Sequence, residues 1–135
     1  MSDLSGLSVL LVEDEFLIAI DAEEILKGLG VKTVETAATF EDAEKQASDG
    51  QFDLAVLDVN LNGRESFPLA ELIGKRGIPV VFASGYELRN RPGFGLDDAI
   101  CVTKPYTRER LRSALSTALA KTTAVNGGSK VERPA

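Results

Sequence analysis

The sequence contains no histidine and a single cysteine, Cys101, among its 135 residues. Without imidazole groups, histidine-based acid–base catalysis and histidine metal sites are excluded. One cysteine cannot close a disulfide within the chain, which is typical of proteins in a reducing compartment. The sequence therefore indicates a protein that folds around an apolar core, without disulfides or histidine-bound metals.

Long hydrophobic runs and an excess of basic residues are also lacking. The first apolar run, at 9–12, is too short for a signal peptide or a membrane span. Fifteen Lys and Arg against 21 Asp and Glu give a net charge of −6, which disfavours binding to nucleic-acid phosphates. We expect an acidic, cytoplasmic, single-domain protein that binds neither nucleic acid nor membrane.

Short apolar runs alternate with helical patterns five times along the chain. The 31–36 run contains Lys32 and Glu35, which is typical of an edge strand, whereas the first and third runs are almost continuously apolar and belong in the centre of a sheet. This alternation predicts an α/β fold, a flavodoxin-like doubly wound five-stranded parallel sheet of order 2-1-3-4-5. The five runs are 7–12, 31–36, 52–57, 78–83 and 99–102.

Local signals predict where several elements begin and end. Thr39, Ser66 and Thr107 are candidate helix N-caps, and Asn62-Gly63 marks a turn. Pro92, Gly93 and Gly95 interrupt residues 84–98, which predicts a short or disrupted fourth helix. We expect the domain to occupy residues 1–121, and the small, polar residues of 122–135 to form a disordered tail.

Polar side chains follow four of the predicted strands at the point where each strand ends. Glu13 and Asp14 follow the first strand, Asp58 the third, Ser84 the fourth and Lys104 the fifth. Each residue alone has an ordinary structural explanation, such as a helix cap, a turn or a solvated charge. Because the carboxyl ends of parallel strands meet at one edge of the sheet, however, we expect all five to converge there.

Three converging carboxylates require a proton or a cation. Two carboxylates about 5 Å apart repel by roughly 3 kcal/mol at an effective dielectric constant near 20. Oxygen ligands without His or Cys suit Mg²⁺, and Lys104 adds the positive charge that a transferring phosphoryl group requires. A carboxylate can itself be the nucleophile in such a transfer, and Asp58, at the end of the central strand, is best placed for this role.

Four segments carry a resemblance to a known family. They are VLLVEDE at 9–15, LAVLDVNLNG at 54–63, VVFASGY at 80–86 and VTKPY at 102–106. With them, the chain resembles the response-regulator receiver domain of two-component signalling and phosphorelays. Residues 82–86 also resemble those of a largely single-domain subgroup that has Phe-Ala-Thr-Gly-Tyr there.

The resemblance implies a role for each matching residue. Asp58 would accept the phosphoryl group, and Glu13 and Asp14 would hold Mg²⁺ together with Asp58 and the backbone carbonyl of Asn60. The family's remaining roles fall on Ser84 and Lys104 as phosphoryl-binding and switch residues, on Pro105 as a cis proline after the lysine, and on Asn60 and Tyr86 as residues that tune hydrolysis of the acyl phosphate.

Three departures from the family pattern affect the expected switch and output surface. Asn62 stands where many receivers have proline, and Cys101 replaces an aromatic residue that in many receivers moves inward on activation. Tyr86 or Tyr106 could supply the missing aromatic, or could simply be a packing residue. The interrupted 84–98 segment lies where the family has part of its output face.

As a function, the resemblance implies a stand-alone response regulator. It would accept a phosphoryl group from a histidine kinase or a histidine phosphotransfer protein, and then switch a surface that binds a downstream protein, or act as a phosphate sink. Such a protein is not an enzyme in the usual sense but assists its own phosphorylation and dephosphorylation. We expect a monomer or weak homodimer.

Alternatives from other classes remain open on the sequence alone. One is a receiver-like binding scaffold that is never phosphorylated. Another is a phosphohydrolase of the haloacid-dehalogenase type, which position 60 disfavours because it is Asn rather than a second carboxylate. A flavin-binding module is disfavoured because no Gly/Ser/Thr-rich phosphate loop follows the first strand.

Overall fold

A computed structural model describes residues 4–84 and 100–129 of the chain, with side chains for residues 4–83 and 100–121. Strands and helices alternate as the sequence predicts. No helix within these residues has the length and apolar character needed to cross a bilayer. The elements in chain order are β1 Ser8–Val12, α1 Phe16–Gly28, β2 Thr33–Ala37, α2 Phe40–Asp49, β3 Leu54–Asp58, β4 Asn60–Leu61, β5 Arg64–Glu65, α3 Phe67–Lys75, β6 Val80–Ser84, β7 Ile100–Thr103 and α4 Arg108–Ser129.

The main sheet has five parallel strands in the order β2-β1-β3-β6-β7. These are the first to fifth strands of the sequence prediction, so the predicted flavodoxin-like order is confirmed. Every residue of β3 is buried, whereas β2 is mostly exposed and forms an edge. Burial therefore explains which strands are central and which lie at the edge, because continuous apolar runs are stable only where both faces of the sheet are covered.

Alternate residues of the central strands face two separate apolar clusters. Val9 and Leu11 of β1 belong to the cluster that includes residues of α1 and α4, and Leu10 and Val12 belong to the cluster that includes residues of α2 and α3. The same alternation occurs along β3, since successive side chains of a strand point to opposite faces. Within the described residues, the sheet therefore lies between two pairs of helices, α1 with α4 on one face and α2 with α3 on the other.

Two of the three predicted helix caps form. Thr39 Oγ1 accepts a hydrogen bond from the Asp42 backbone N–H at 3.1 Å, and Thr107 Oγ1 accepts one from the Arg110 N–H at 3.1 Å. The prediction for Ser66 is wrong. It occupies the N-cap position of α3, but its side chain caps nothing and is fully buried, because the chain enters α3 from a short hairpin that turns this residue inward.

The C-terminal helix is longer than the sequence suggests. Its backbone continues to Ser129, past the predicted domain boundary at residue 121. The disorder of the C-terminal tail stays a prediction. No proline occurs in this stretch, and extending an existing helix by one residue needs no new nucleation. The domain boundary at residue 121 stays a prediction, and the predicted disruption of residues 84–98 falls mainly on residues outside the described part of the chain.

Two arginines bind carbonyl groups at the C-terminal ends of helices. Arg76 donates to Ala47 O at 2.8 Å and to Gly50 O at 2.7 Å at the end of α2, and its guanidinium lies 5.3 Å from the Phe52 ring centroid. Arg108 donates to Gly28 O at the end of α1 at 3.1 Å. Both cations meet carbonyls that lack an intrahelical partner, at the negative end of the helix dipole.

We predict that Arg76→Ala lowers the free energy of unfolding by about 1 kcal/mol, because it removes two charge-assisted hydrogen bonds at a largely exposed site. Urea unfolding followed by circular dichroism measures the change. Lys75→Ala, one residue earlier, is the matched control for loss of a surface cation. Equal unfolding midpoints for the two variants would contradict the capping role.

Candidate functional site

The carboxyl ends of three parallel strands bring charged residues together. Glu13 directly follows β1, Asp58 ends β3, and Lys104 directly follows β7. Glu13 is 2% exposed and Asp58 is 6% exposed, which is unusual for carboxylates that lack compensating partners. The predicted convergence is therefore present for these residues.

Lys104 is the cation that compensates the two buried carboxylates. Its Nζ lies 3.0 Å from Glu13 Oε1 and 3.0 Å from Asp58 Oδ2. The lysine side chain itself is mostly buried, so the three charges interact with little screening by water. One ammonium thus links the ends of β1, β3 and β7.

Asp14 completes an acidic cluster at the same edge. One carboxylate oxygen from each of Glu13, Asp14 and Asp58 lies within 4.8 Å of the others. The cluster carries three carboxyl groups against the one ammonium of Lys104, which leaves it acidic when all three are ionised. This agrees with the sequence-based expectation that the carboxylates share one site.

Backbone N–H groups hold each carboxylate of the cluster in place. Glu13 Oε2 accepts from the Glu15 N–H at 3.2 Å, and Asp58 Oδ1 accepts from the Asn60 N–H at 3.3 Å. Asp14 Oδ2 accepts from the Asn62 N–H at 3.1 Å. Since these donors are part of the backbone, the orientation of the carboxylates is set by the fold before any ligand binds.

The Asn60 and Asn62 donors belong to a small hairpin that the sequence analysis missed. Strands β4 and β5 pair antiparallel across the turn residues Asn62 and Gly63, whose φ angles are 52° and 90°. Positive φ at both positions is what a two-residue hairpin turn requires, and Asn-Gly is its commonest sequence. The predicted turn is thus present, and the Asn-Gly pair was the signal for the hairpin.

Burial changes the acid–base behaviour of the cluster. It raises the pKa of Glu13 to about 7, with a further rise from the Asp58 charge and a partial offset by Lys104. Burial also raises the pKa of Asp58, although Lys104 opposes the change. For Lys104, burial alone would lower the pKa, but the hydrogen bonds and charges of Asp58 and Glu13 outweigh it and raise the pKa.

Pro105, Tyr106 and Cys101 lie close to Lys104 in the chain, and their conformation and burial bear on the expected switch. The Lys104–Pro105 peptide bond is cis. Tyr106 is 5% exposed and belongs to the α1/α4 core cluster, and its hydroxyl has no hydrogen-bond partner in the described part of the chain. Burial and the nearby Glu13 and Asp58 charges raise the pKa of Tyr106, so the hydroxyl stays protonated. Cys101, which stands where many receivers have an aromatic residue, is exposed on β7.

Two of the predicted site residues are described only in part or not at all. The backbone of Ser84 ends β6, next to β7, which puts the residue at the same edge of the sheet as Asp58. Its side chain lies outside the described part of the structure, as does the whole of Tyr86. Asn60 is described, and its side-chain Oδ1 accepts a hydrogen bond from the Gly63 N–H at 2.7 Å.

The donor set of the cluster fits a hard divalent cation. All three side-chain donors are carboxylates, and oxygen ligands of this kind are those that Mg²⁺ prefers. Burial is the main cause of the raised pKa of Glu13, and repulsion by Asp58 adds to it. A second positive charge beside Lys104 would relieve that repulsion. Both observations favour Mg²⁺ over zinc, which would call for His or Cys.

Comparison with known proteins gives an independent identification. The family model described as "Response regulator receiver domain" matches residues 9–116. The sensory transduction protein LytT of Bacillus subtilis is 33% identical over 112 residues, which are 81% of this chain and 46% of LytT. The phyllosphere-induced regulator PhyR of Methylorubrum extorquens is 31% identical over 114 residues, 82% of this chain and 43% of PhyR. The chain spans less than half the length of these relatives.

Solved structures give the same result. SdrG from Sphingomonas melonis is 38% identical, with a TM-score of 0.72, and the match covers 88% of this chain and 99% of SdrG. The receiver domain of PhyR from Erythrobacter litoralis is 29% identical, with a TM-score of 0.75, and the match covers 88% of this chain and 94% of that domain.

The raised pKa of Glu13 predicts a specific pH dependence of stability. A carboxyl group whose pKa is raised on folding binds its proton more tightly in the folded state, so its stabilising contribution is complete below the ordinary value of 4.5 and is lost as the pH rises through about 7. In metal-free buffer, the free energy of unfolding should therefore fall by about 1–3 kcal/mol between about pH 5 and pH 8.

Replacing the carboxyl group isolates this effect. Glu13→Gln should flatten the pH profile of the urea midpoint, because glutamine cannot titrate. Glu35→Gln, an equal change of charge on the exposed face of β2, serves as the control. A Glu13→Gln profile as steep as that of the control would contradict the assignment.

Proposed function

Because this chain belongs to the family of response regulator receiver domains, we propose that it accepts a phosphoryl group on Asp58 from a phosphorylated histidine of a kinase or phosphotransfer protein. One observation carries the proposal. Asp58 is buried at the end of the central strand with Lys104 Nζ 3.0 Å from its carboxylate and the oxygens of Glu13 and Asp14 beside it. A carboxylate held between a cation and an acidic cluster supports a role as the nucleophile of a phosphoryl transfer.

The transfer is a displacement at phosphorus. An oxygen of the ionised Asp58 forms the new O–P bond while the N–P bond of the donor breaks, and the imidazole leaves with the electron pair of that bond. The product is an aspartyl phosphate. Since the reaction needs the carboxylate rather than the acid, Lys104 supports it by stabilising the charged form of Asp58 against the effect of burial.

Charge on the transferring group has to be neutralised. Lys104 is placed to pair with a phosphoryl oxygen once Asp58 carries the group, since its ammonium already contacts that carboxylate. Mg²⁺, when bound, supplies the second positive charge that the spread negative charge of the transition state requires. Glu13, Asp14 and Asp58 are the side chains that would hold it, with the backbone carbonyl of Asn60.

The remaining site residues would act after the transfer. By family resemblance, Ser84 binds a phosphoryl oxygen and moves the chain that follows it, which shifts an existing equilibrium between two conformations. Tyr86 and Asn60 would tune the lifetime of the acyl phosphate. Tyr106 is a packing residue in this proposal, because it is already buried in the core.

An apolar surface beside the site suits a protein donor better than a small molecule. Phe16 and Leu17, at the start of α1, are 74% and 77% exposed, and Ile20 lies one turn further on. Phe16 lies two residues after Asp14 in the chain. Exposed apolar side chains grouped next to a reactive carboxylate are typical of a docking surface for a partner.

We also propose that phosphorylation makes this receiver domain a switch for a downstream protein, or that the domain acts as a phosphate sink. A cytoplasmic location of the protein is part of the same proposal. In this view the protein drives no turnover of an external substrate, and its own phosphorylation and dephosphorylation are the reactions it assists.

The assignment of Asp58 is tested with a small phosphodonor. Incubation with Mg²⁺ and acetyl phosphate should add one phosphoryl group to the wild-type protein and to Asp49→Asn, an exposed control on α2, but none to Asp58→Asn. Removing Mg²⁺ with EDTA should slow the reaction at least ~10-fold. Intact-protein mass spectrometry measures the products, and a phosphorylated Asp58→Asn variant would refute the assignment.

The docking surface is tested by separating donor recognition from chemistry. Replacing Phe16 and Leu17 together by serine should slow phosphotransfer from a phosphorylated histidine protein about 10-fold or more, since central apolar contacts dominate such interfaces. Labelling by acetyl phosphate should not change, because the cluster itself is intact. Glu24→Ser on the same helix is the control. A double variant that slows equally with both donors would show damage to the site rather than loss of docking.

A further inference from the structure

Two of the three clustered carboxylates are oriented by the same structural unit, the β4–β5 hairpin. The Asn60 N–H at its start donates to Asp58 Oδ1 at 3.3 Å, and the Asn62 N–H at its turn donates to Asp14 Oδ2 at 3.1 Å. The hairpin also contains the Asn60 carbonyl, the expected backbone ligand. A shift of the hairpin would therefore move several groups of the site at once.

The hairpin is too short to hold its own position. It has two residues in each strand, closed by the hydrogen bond from the Gly63 N–H to Asn60 Oδ1 at 2.7 Å. Isolated two-stranded hairpins are marginal in water. Leu61, which is buried, anchors one strand in the core on the α2/α3 side of the sheet.

Arg64 attaches the other strand, β5, to helix α2. Its Nη1 lies 2.9 Å from Glu41 Oε2, and its guanidinium carbon lies 3.7 Å from the centroid of the Phe40 ring. Both partners belong to the first turn of α2. A single planar side chain therefore binds the hairpin to a helix through an ion pair and a stacking contact together, a combination that suits arginine better than lysine.

We propose that Arg64 is a positioning residue of the acidic cluster: by fixing the β4–β5 hairpin against α2, it sets the affinity of the site for Mg²⁺. This inference rests on the proposed function. Arg64 touches none of the reacting groups and acts through the Asn60 and Asn62 backbone. Side chains that orient the ligands of a metal are known to control metal affinity in the same indirect way.

The exposure of the contact separates this role from a contribution to folding. The side chains of Arg64 and Glu41 are 54% and 73% exposed, and ion pairs with this exposure add little to the stability of a fold. Loss of Arg64 should therefore change the site more than it changes the unfolding midpoint. Loss of a residue that contributed only to folding would instead change the unfolding midpoint more than it changed the site.

The experiment compares Mg²⁺ binding by wild-type protein and by Arg64→Ala, using isothermal titration calorimetry with MgCl₂. We expect the Kd for Mg²⁺ to rise about 3- to 10-fold in Arg64→Ala and less in Arg64→Lys, which keeps the charge but not the planar group. The amide resonance of Asn62, the donor to Asp14, should shift in the nitrogen–proton NMR spectrum of Arg64→Ala. Lys27→Ala, which breaks the exposed ion pair of Lys27 with Glu23 on α1, is the matched control and should change neither quantity.

The outcomes separate this inference from the proposed function. If wild-type protein binds no Mg²⁺ and gains no phosphoryl group, the proposed function fails and the inference fails with it. If wild-type protein binds Mg²⁺ and Arg64→Ala binds it equally well, with an unshifted Asn62 amide, only the inference is overturned. Should Arg64→Ala fail to fold, Glu41→Gln, which removes the ion pair and leaves the Phe40 contact, gives the same comparison with a smaller expected effect.

Discussion

The ion pairs of Lys104 with Glu13 and Asp58 are the interaction on which the site depends. A single ammonium lies 3.0 Å from two buried carboxylates that come from different strands, so it holds the ends of β1, β3 and β7 in one arrangement. Without it, burial and mutual repulsion would favour the protonated acids and leave no nucleophile at Asp58. With it, compensation is still incomplete, because Asp14 adds a third carboxyl group. The remaining imbalance is what makes the cluster suited to a divalent cation.

The parts of this arrangement that follow from burial could be predicted from the sequence. Continuous apolar runs at β1 and β3 can only be covered in the centre of a sheet, and the polar β2 is stable at an edge, so the strand order follows. Once the order is known, the carboxyl ends of the parallel strands must share one edge, and residues 13, 58 and 104 must meet there. That inference uses the position of each residue relative to its strand and needs no knowledge of side-chain contacts.

Other features depend on contacts that no local pattern contains. The β4–β5 hairpin is too short for a period-2 pattern, and its Asn-Gly turn was interpreted only as a turn. Serine is a residue type that is favoured at helix N-caps, but the geometry of the preceding hairpin directs the Ser66 side chain towards the core. The contacts of Arg64 with Glu41 and of Arg76 with Ala47 join residues 23 and 29 positions apart, and arginines elsewhere in the sequence look no different. The partners of such long side chains are determined by the tertiary structure, so the local sequence does not identify them.

The most direct test of the central claim is to locate a bound divalent cation crystallographically, using Mn²⁺ as an anomalous scatterer with the same preference for oxygen ligands as Mg²⁺. The account predicts one anomalous peak at the carboxyl edge of the sheet, coordinated by Asp58 and by at least one of Glu13 and Asp14, with the Lys104 ammonium still in contact with Asp58. An ion bound elsewhere, or a lysine whose ammonium has turned away from Asp58, would contradict it.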